Sequence, residues 1–128
     1  MAQSIFVVED DPAVSGLLTE ILTRASYEVT AVDSAFGLAG LVRDLQPAAI
    51  LLDLGLPFRS GVDLLNELKA DARTAHVPVI VLSGLTEILS EERRALAAAV
   101  LAKPFDVERL LDVLQQTCGS SARDPGNA

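Results

Sequence analysis

Short apolar runs alternate with longer amphipathic segments along almost the whole chain. Each run is a continuous stretch of mainly aliphatic residues, which is typical of a strand covered on both faces. Amphipathic segments with apolar residues at helical spacing separate the runs. The pattern predicts five strands alternating with five helices, and hence a parallel sheet between two helix layers. The predicted strands are residues 5–8, 27–31, 49–52, 79–82 and 100–102.

Residues that begin helices stand at the expected places between these runs. Asp11 precedes Pro12, which predicts an N-cap followed by proline in the first turn. Ser34 and Asp106 are the expected caps of the second and last helices, and an alanine-rich fourth helix is expected to start at residues 90–92. The apolar residues expected on inner helix faces are Val14, Leu17, Leu18, Ile21, Leu22 and Ala25, then Leu38, Leu41, Val42 and Leu45, then Val62, Leu64, Leu65 and Leu68, and finally Val107, Leu110, Leu111, Val113 and Leu114.

Few topologies satisfy this order of elements, because crossovers between parallel strands are right-handed. Partly by analogy, we expect the flavodoxin-like three-layer (βα)5 arrangement with strand order 2-1-3-4-5. This order places the ends of the first and third strands side by side at the switch point. Residues 1–118 are expected to form the domain, and residues 119–128 a disordered tail or the start of a linker.

Composition narrows the class of protein. The chain has 128 residues, the size of one domain, and 10 basic against 18 acidic residues give it a formal net charge of −8. Such a charge disfavours direct binding to nucleic acid or to anionic membranes. Cys118 has no partner for an internal disulfide, and no apolar run reaches the roughly 18 residues that span a bilayer. We therefore expect a cytoplasmic domain.

Polar residues follow four of the predicted strands. Glu9 and Asp10 follow the first, Asp53 the third, Ser83 the fourth and Lys103 the fifth. The carboxyl ends of parallel strands border the ligand crevice of an open sheet, and neighbouring strands are only about 5 Å apart. Carboxylates at about 4 Å repel by roughly 1 to 4 kcal/mol per pair, which a bound hard cation offsets. The pattern indicates a site for a divalent cation and a phosphoryl group.

Magnesium usually takes one or two carboxylates together with waters and phosphate oxygens. We expect Asp10 to be a direct ligand, Glu9 to act through water, and Asp53 to be both ligand and reactive group. The backbone carbonyl of Gly55 is a plausible further ligand. A carboxylate that follows a strand can instead simply cap a helix, and this is the interpretation adopted for Asp11.

The reactive chemistry expected of Asp53 is nucleophilic attack on phosphorus, which produces an acyl phosphate. Transfer through a loose transition state requires positioning and charge neutralisation rather than a histidine or cysteine base. Lys103 can pair with the carboxylates and then bind a phosphoryl oxygen, to which the Ser83 hydroxyl can also donate. His76 lies before the fourth strand and is expected to be a surface residue.

The segments 7–12, 51–57, 83–84 and 103–105 together resemble the receiver domain of bacterial two-component response regulators, over about residues 4 to 117. The resemblance implies that Asp53 accepts a phosphoryl group from a sensor histidine kinase or a histidine phosphotransfer protein. It implies that Glu9 and Asp10 hold Mg²⁺, that Ser83 moves towards the phosphate and that Lys103 contacts it. It also implies a cis peptide before Pro104.

Two features depart from the usual pattern of this family. Val100 stands where the family usually places an aromatic switch residue, and the segment 94–99 is shortened. The phosphate chemistry is expected to survive both changes. The face formed by helix 4, strand 5 and helix 5 remains the expected surface for a partner or output domain, but its response to phosphorylation is expected to be different or weak.

The leading hypothesis is thus a phosphorylation-controlled signalling switch rather than an enzyme acting on other substrates. One alternative is a receiver-shaped binding scaffold that is not phosphorylated, which Val100 slightly favours. A magnesium-dependent hydrolase of the haloacid-dehalogenase type is less favoured, because Gly55 stands where such enzymes need a second acid. A flavin carrier is disfavoured since no phosphate-binding loop follows the first strand.

Overall fold

Helices and strands alternate along the chain in the computed structural model, which describes residues 3–32, 37–54, 61–84 and 91–118. The strands pair as neighbours in one parallel sheet, and the helices connect them. The elements are β1 (Ser4–Val8), α1 (Pro12–Arg24), β2 (Glu28–Val32), α2 (Leu38–Leu45), β3 (Ala49–Asp53), α3 (Gly61–Ala70), β4 (Val79–Ser83), α4 (Glu91–Arg94), β5 (Ala99–Ala102) and α5 (Val107–Cys118).

The strand order is β2-β1-β3-β4-β5, and every neighbouring pair is parallel. This confirms the predicted flavodoxin-like order. The register places Val8 opposite Leu52 and Ser83 opposite Ala102. Consequently the residues that follow β1 and β3, and those that follow β4 and β5, reach the same edge of the sheet.

The sheet separates two apolar cores because successive side chains of a strand point to opposite faces. β3 and β4 are buried along their whole length, as expected for strands covered on both sides. One core contains Phe6, Val8, Leu38, Val42, Ile50, Leu52, Leu64, Leu65, Leu68, Val79 and Val81. The other contains Ile5, Val7, Leu18, Leu22, Leu51, Ile80, Leu82, Leu110, Val113 and Leu114.

Several residues expected on inner helix faces are exposed instead. Leu17 is 53% exposed, Leu41 40% and Leu45 58%, and Val107 is also exposed. In α2 the buried residues are Leu38 and Val42. Helical spacing shows which residues share a face, but the neighbouring layer sets how wide a strip of that face it covers.

Two of the predicted helix caps are present. The backbone N–H of Ala13 donates to Asp11 Oδ1 at 2.9 Å, and that of Glu108 donates to Asp106 Oδ1 at 2.9 Å. Ser34, the predicted start of the fourth helix at residue 90, and the predicted tail 119–128 lie outside the described residues. The described part of α2 begins after Gly37, whose φ of 74° is accessible to glycine at little cost.

At the edge of the sheet opposite the predicted site, polar side chains donate hydrogen bonds to backbone carbonyls. Lys69 Nζ, at the end of α3, donates to the carbonyls of Ala75 and Val77 at 2.9 and 2.7 Å. His76 is exposed, as predicted, and contacts the side chain of Gln46. Within the described ranges, no helix has both the length and the hydropathy needed to cross a membrane.

Candidate phosphoryl and metal site

Glu9 and Asp10 enter the site directly from the end of β1. The Glu9 backbone N–H donates to the Val32 carbonyl at 3.1 Å and so continues the β1–β2 ladder by one residue. The Glu9 side chain is only 2% exposed, whereas Asp10 is exposed. The chain therefore presents one buried and one accessible carboxylate at adjacent positions.

Asp53 is the last residue of β3 and is 5% exposed. The backbone N–H of Leu54 donates to the Leu82 carbonyl at 3.1 Å, which holds this strand end against β4. One carboxylate oxygen from each of Glu9, Asp10 and Asp53 lies within 4.8 Å of the others. The structure thus brings the predicted acidic residues together, while Gly55 lies outside the described residues.

Lys103 supplies a positive charge between two of the acids. Its Nζ lies 3.1 Å from Asp53 Oδ1 and 3.4 Å from Glu9 Oε1. The Lys103 backbone N–H donates to the Ser83 carbonyl at 2.8 Å, and the peptide bond to Pro104 is cis, as the resemblance implied. Lys103 therefore holds Asp53 and Glu9 by ion pairs from the far side of β4.

Ser83 ends β4 at the same edge and is largely buried. Its hydroxyl donates to the Gly84 carbonyl at 3.1 Å. Because serine rotates freely about a single torsion, the hydroxyl can be redirected without moving the strand. Glu9, Asp10, Asp53, Ser83 and Lys103 thus all lie at the carboxyl edge of the sheet, where the pattern placed them.

Charge and burial act against each other in this site. Burial raises the pKa of Glu9, and the shared hydrogen bond with Asp53 and its charge raise it further, against the lowering effect of the Asp11 N–H. Burial acts to lower the pKa of Lys103, but the hydrogen bond and charge of Asp53 and the charge of Glu9 outweigh it and raise this pKa. The lysine therefore stays cationic, while ionised Glu9 is disfavoured.

Replacing this strained acid should stabilise the metal-free chain. We expect Glu9→Gln to raise the free energy of unfolding at neutral pH by about 1 kcal/mol, as is common when strain at a functional site is removed. Folding raises the pKa of Glu9 above its usual 4.5. The wild type therefore loses stability as the pH rises from 4.5 to the pKa that Glu9 has in the folded chain. The difference between variant and wild type should therefore shrink below pH 4.5. Urea denaturation across this range, with a chelator present, measures it.

Glu28→Gln is the matched control for this prediction, because Glu28 is exposed on β2. It should change stability by no more than about 0.5 kcal/mol at any pH in the series. A Glu9→Gln chain that is less stable than the wild type at neutral pH would show that the buried carboxylate contributes more through Lys103 than its burial costs.

The donor set suits a small hard cation. Two oxygens bound to the same Mg²⁺ at about 2.1 Å are at most about 4.2 Å apart. One oxygen from each of the three carboxylates lies within 4.8 Å of the others, so they are close enough to share one such ion, directly or through its waters. Oxygen-only donors, with no thiolate or imidazole among the three, favour Mg²⁺ over softer metals.

Comparison with known proteins agrees with this geometry. Residues 5–115 match the family model of the response regulator receiver domain. The chain is 42% identical over 110 residues to the DNA-binding dual master transcriptional regulator RpaA of Synechocystis, covering 84% of this chain but only 45% of that protein. It is 28% identical over 123 residues to the polar-differentiation response regulator DivK of Brucella ovis, covering 94% of this chain and 100% of DivK.

Solved structures show the same architecture. The receiver domain of the sensor histidine kinase PA1611 from Pseudomonas aeruginosa, solved with a magnesium ion coordinated in its active site cleft, superposes with a TM-score of 0.80. The two are 30% identical, and the match covers 94% of this chain and 100% of that domain.

Proposed function

This chain belongs to the response regulator receiver domain family, and from that premise we propose that Asp53 is its phosphoacceptor. The observation that supports this assignment most directly is the Lys103 Nζ, 3.1 Å from Asp53 Oδ1. Asp53 is a nearly buried carboxylate, and its counter-charge, Lys103, follows β5 and can turn to a new anion. Among the described acidic residues, Glu9 also combines burial, a lysine contact and two neighbouring carboxylates, but Lys103 lies nearer to Asp53, at 3.1 Å against 3.4 Å.

In the proposed step, an Asp53 carboxylate oxygen attacks the phosphorus of a phosphohistidine on the donor protein. The oxygen–phosphorus bond forms as the phosphorus–nitrogen bond breaks, and the imidazole leaves with that electron pair and takes up a proton from water. The product on this chain is an acyl phosphate. Lys103 moves its ammonium to a phosphoryl oxygen, and the Ser83 hydroxyl donates to another.

Glu9, Asp10 and Asp53, with the carbonyl of Gly55, would hold the Mg²⁺ that this transfer requires. When bound, the ion neutralises charge on the transferring phosphoryl group. Asp10 is the most accessible of the three acids, which suits a direct ligand. Glu9 is buried and already contacts Lys103, which suits a role through water.

The proposal is tested by incubating the chain with Mg²⁺ and acetyl phosphate and measuring its intact mass at neutral pH. We expect the mass of one phosphoryl group to be added, and this gain to disappear when Mg²⁺ is chelated before the donor is added. A chain that stays unmodified with both acetyl phosphate and its cognate kinase would favour the scaffold hypothesis. Turnover of an added phosphate ester would favour the hydrolase.

The partners proposed for this site are a sensor histidine kinase or a histidine phosphotransfer protein, and the proposed location is the cytoplasm. The chain spans about 45% of RpaA, which is described as DNA-binding, but the whole of DivK. We therefore propose that this domain passes on its signal by contacting an attached or separate partner through the face formed by α4, β5 and α5.

Phosphorylation is proposed to act by shifting an equilibrium between two arrangements of this domain. The phosphoryl group can do so only as far as it interacts differently with the two. Lys103 connects the site to β5, since it follows that strand and contacts Asp53. Val100 on β5 replaces the family's aromatic, so the response there must be carried by backbone and aliphatic contacts.

A further inference from the structure

The outer edge of β2 is exposed. Among the strands that the structure describes, β2 pairs only with β1 and ends the sheet. Glu28, Thr30 and Ala31, in the middle and at the start of the strand, are all exposed. An exposed strand edge is a template for a further strand unless its side chains repel that strand. The charge around β2 therefore decides what can bind there.

Two hydrogen bonds show which backbone groups of β2 are directed outwards. The Glu28 N–H donates to the carbonyl of the residue just before β1 at 2.9 Å, and the Val32 carbonyl accepts from the N–H of the residue just after β1 at 3.1 Å. Both residues therefore bond towards β1. Because alternate residues in a parallel pair bond to the same neighbour, Val29 and Ala31 turn their N–H and C=O groups away from β1. An extended segment lying beside β2 can pair with both.

A cavity of about 930 Å³ adjoins this edge on the side of α1. Ala31 lines it from β2, and Ser15, Thr19 and Thr23 line it from α1, where their spacing of four residues places them on one helix face. These small side chains leave open a space that larger ones would fill, and their hydroxyls can both donate and accept hydrogen bonds. A strand added to β2 would therefore have room for the side chains that it directs towards α1.

Carboxylates outnumber cations around this cavity. Its charged lining residues are Glu9, Asp10, Glu20 and Arg24. Arg24 is paired with Glu20 at 3.0 Å, and Glu9 is paired with Lys103 at 3.4 Å. Asp10 is exposed and forms no ion pair with any residue that the structure describes. The cavity thus has an uncompensated carboxylate at the end that adjoins the phosphoryl and metal site.

Glu28 adds a second uncompensated carboxylate to the same strand edge. It is exposed, and within the described ranges no cation pairs with it. A charged residue on a strand edge opposes pairing with a chain of like charge, so Glu28 and the net charge of −8 disfavour a second copy. The same charges favour a segment that carries Lys or Arg.

We propose that an extended, basic segment of a partner protein binds along β2 by strand addition, with side chains in the cavity and a Lys or Arg beside Asp10. Main-chain hydrogen bonds to Val29 and Ala31 supply affinity, and the carboxylates supply the preference for a basic segment. A cation beside Asp10 competes with Mg²⁺ for this carboxylate, so the bound segment opposes phosphorylation of Asp53. That regulatory meaning rests on the proposed function, whereas the binding itself does not.

The test uses fluorescent octapeptides of alternating Val and Thr with a single Lys moved through the positions. Binding is measured by fluorescence anisotropy with a chelator present and no phosphodonor, so this inference and the proposed function can fail separately. We expect at least one peptide to bind and to shift the backbone amide signals of Val29 and Ala31 in NMR spectra. Glu in place of its Lys should weaken the binding at least tenfold, about 1.4 kcal/mol.

Asp10→Asn should weaken the binding of the best peptide about fivefold, because it removes the uncompensated charge and keeps the size of the side chain. Asp112→Asn makes the same chemical change at an exposed residue of α5 and should alter the binding less than about twofold.

N-methylation of the peptide tests the strand pairing without changing the protein. Two peptides are methylated at alternate positions, one on the odd and one on the even residues. Only one of the two sets faces β2, so one peptide should lose at least tenfold in affinity and the other much less.

The proposal is overturned if no peptide binds at about 1 mM, or if the two methylated peptides bind equally. It is also overturned if Asp10→Asn binds as Asp112→Asn does, or if the amide shifts fall away from β2. Self-association through β2 in sedimentation would assign the edge to a second copy instead.

Discussion

Asp53→Asn is expected to abolish the phosphoryl gain that the wild-type chain shows with Mg²⁺ and acetyl phosphate. The amide keeps the size of the buried side chain but lacks the anionic oxygen that attacks phosphorus, so labelling should fall by at least about a hundredfold. Lys103 loses its partner at 3.1 Å but keeps Glu9 at 3.4 Å, which limits the disturbance of the site. Intact mass after a fixed incubation measures the effect.

Asp112→Asn is the control, because it makes the same chemical change at an exposed residue of α5, away from the site. Its labelling should equal that of the wild type. If Asp53→Asn were labelled as strongly as Asp112→Asn, the acceptor would be another residue, and peptide mapping of the modified chain would locate it. Such a result would contradict the proposed function while leaving the fold unaffected.

Leu18→Ala is expected to cause a large loss of stability. Leu18 is fully buried and packs in the core between the sheet and the α1 and α5 helices. Truncation of a buried leucine costs about 2–5 kcal/mol through lost transfer energy and the cavity left behind. This is a large part of the roughly 5–15 kcal/mol that stabilises a typical domain. Urea denaturation, followed by far-UV circular dichroism, measures it.

Leu17→Ala makes the same change one residue earlier on the same helix, where the side chain is 53% exposed. It should cost less than about 1 kcal/mol, since little area leaves a packed environment. Equal losses for the two variants would mean that α1 is rotated about its axis relative to the arrangement described here. Circular dichroism of both folded variants checks that each keeps its helical content.

The strands and the site edge could be predicted because they depend on local information. Continuous apolar runs appear only where both faces of a strand are covered, so β1, β3 and β4 stood out. The residue directly after such a run is held at the carboxyl edge whatever the neighbouring strand is. The caps Asp11 and Asp106 were predicted for a similar reason, since a side-chain oxygen bonds the backbone only two residues ahead.

Other features depended on contacts that no local pattern contains. Leu41 and Leu45 follow the helical spacing of a buried face, yet they are exposed because the neighbouring layer covers only the strip around Leu38 and Val42. The order of the strands had to be chosen partly by analogy. The position of β5 at the edge of the sheet was therefore expected only through that analogy, and the pairing of the strands in the structure establishes it.

By itself, the sequence determined which segments become strands, which end of each strand carries chemistry, and which residue types meet there. Only the tertiary structure decided that Lys103 contacts Asp53 and Glu9, and that Glu9 is buried while Asp10 is exposed. The physical reason is that burial and ion pairing are properties of neighbours distant in the chain, whereas strand formation and capping are set within a few residues.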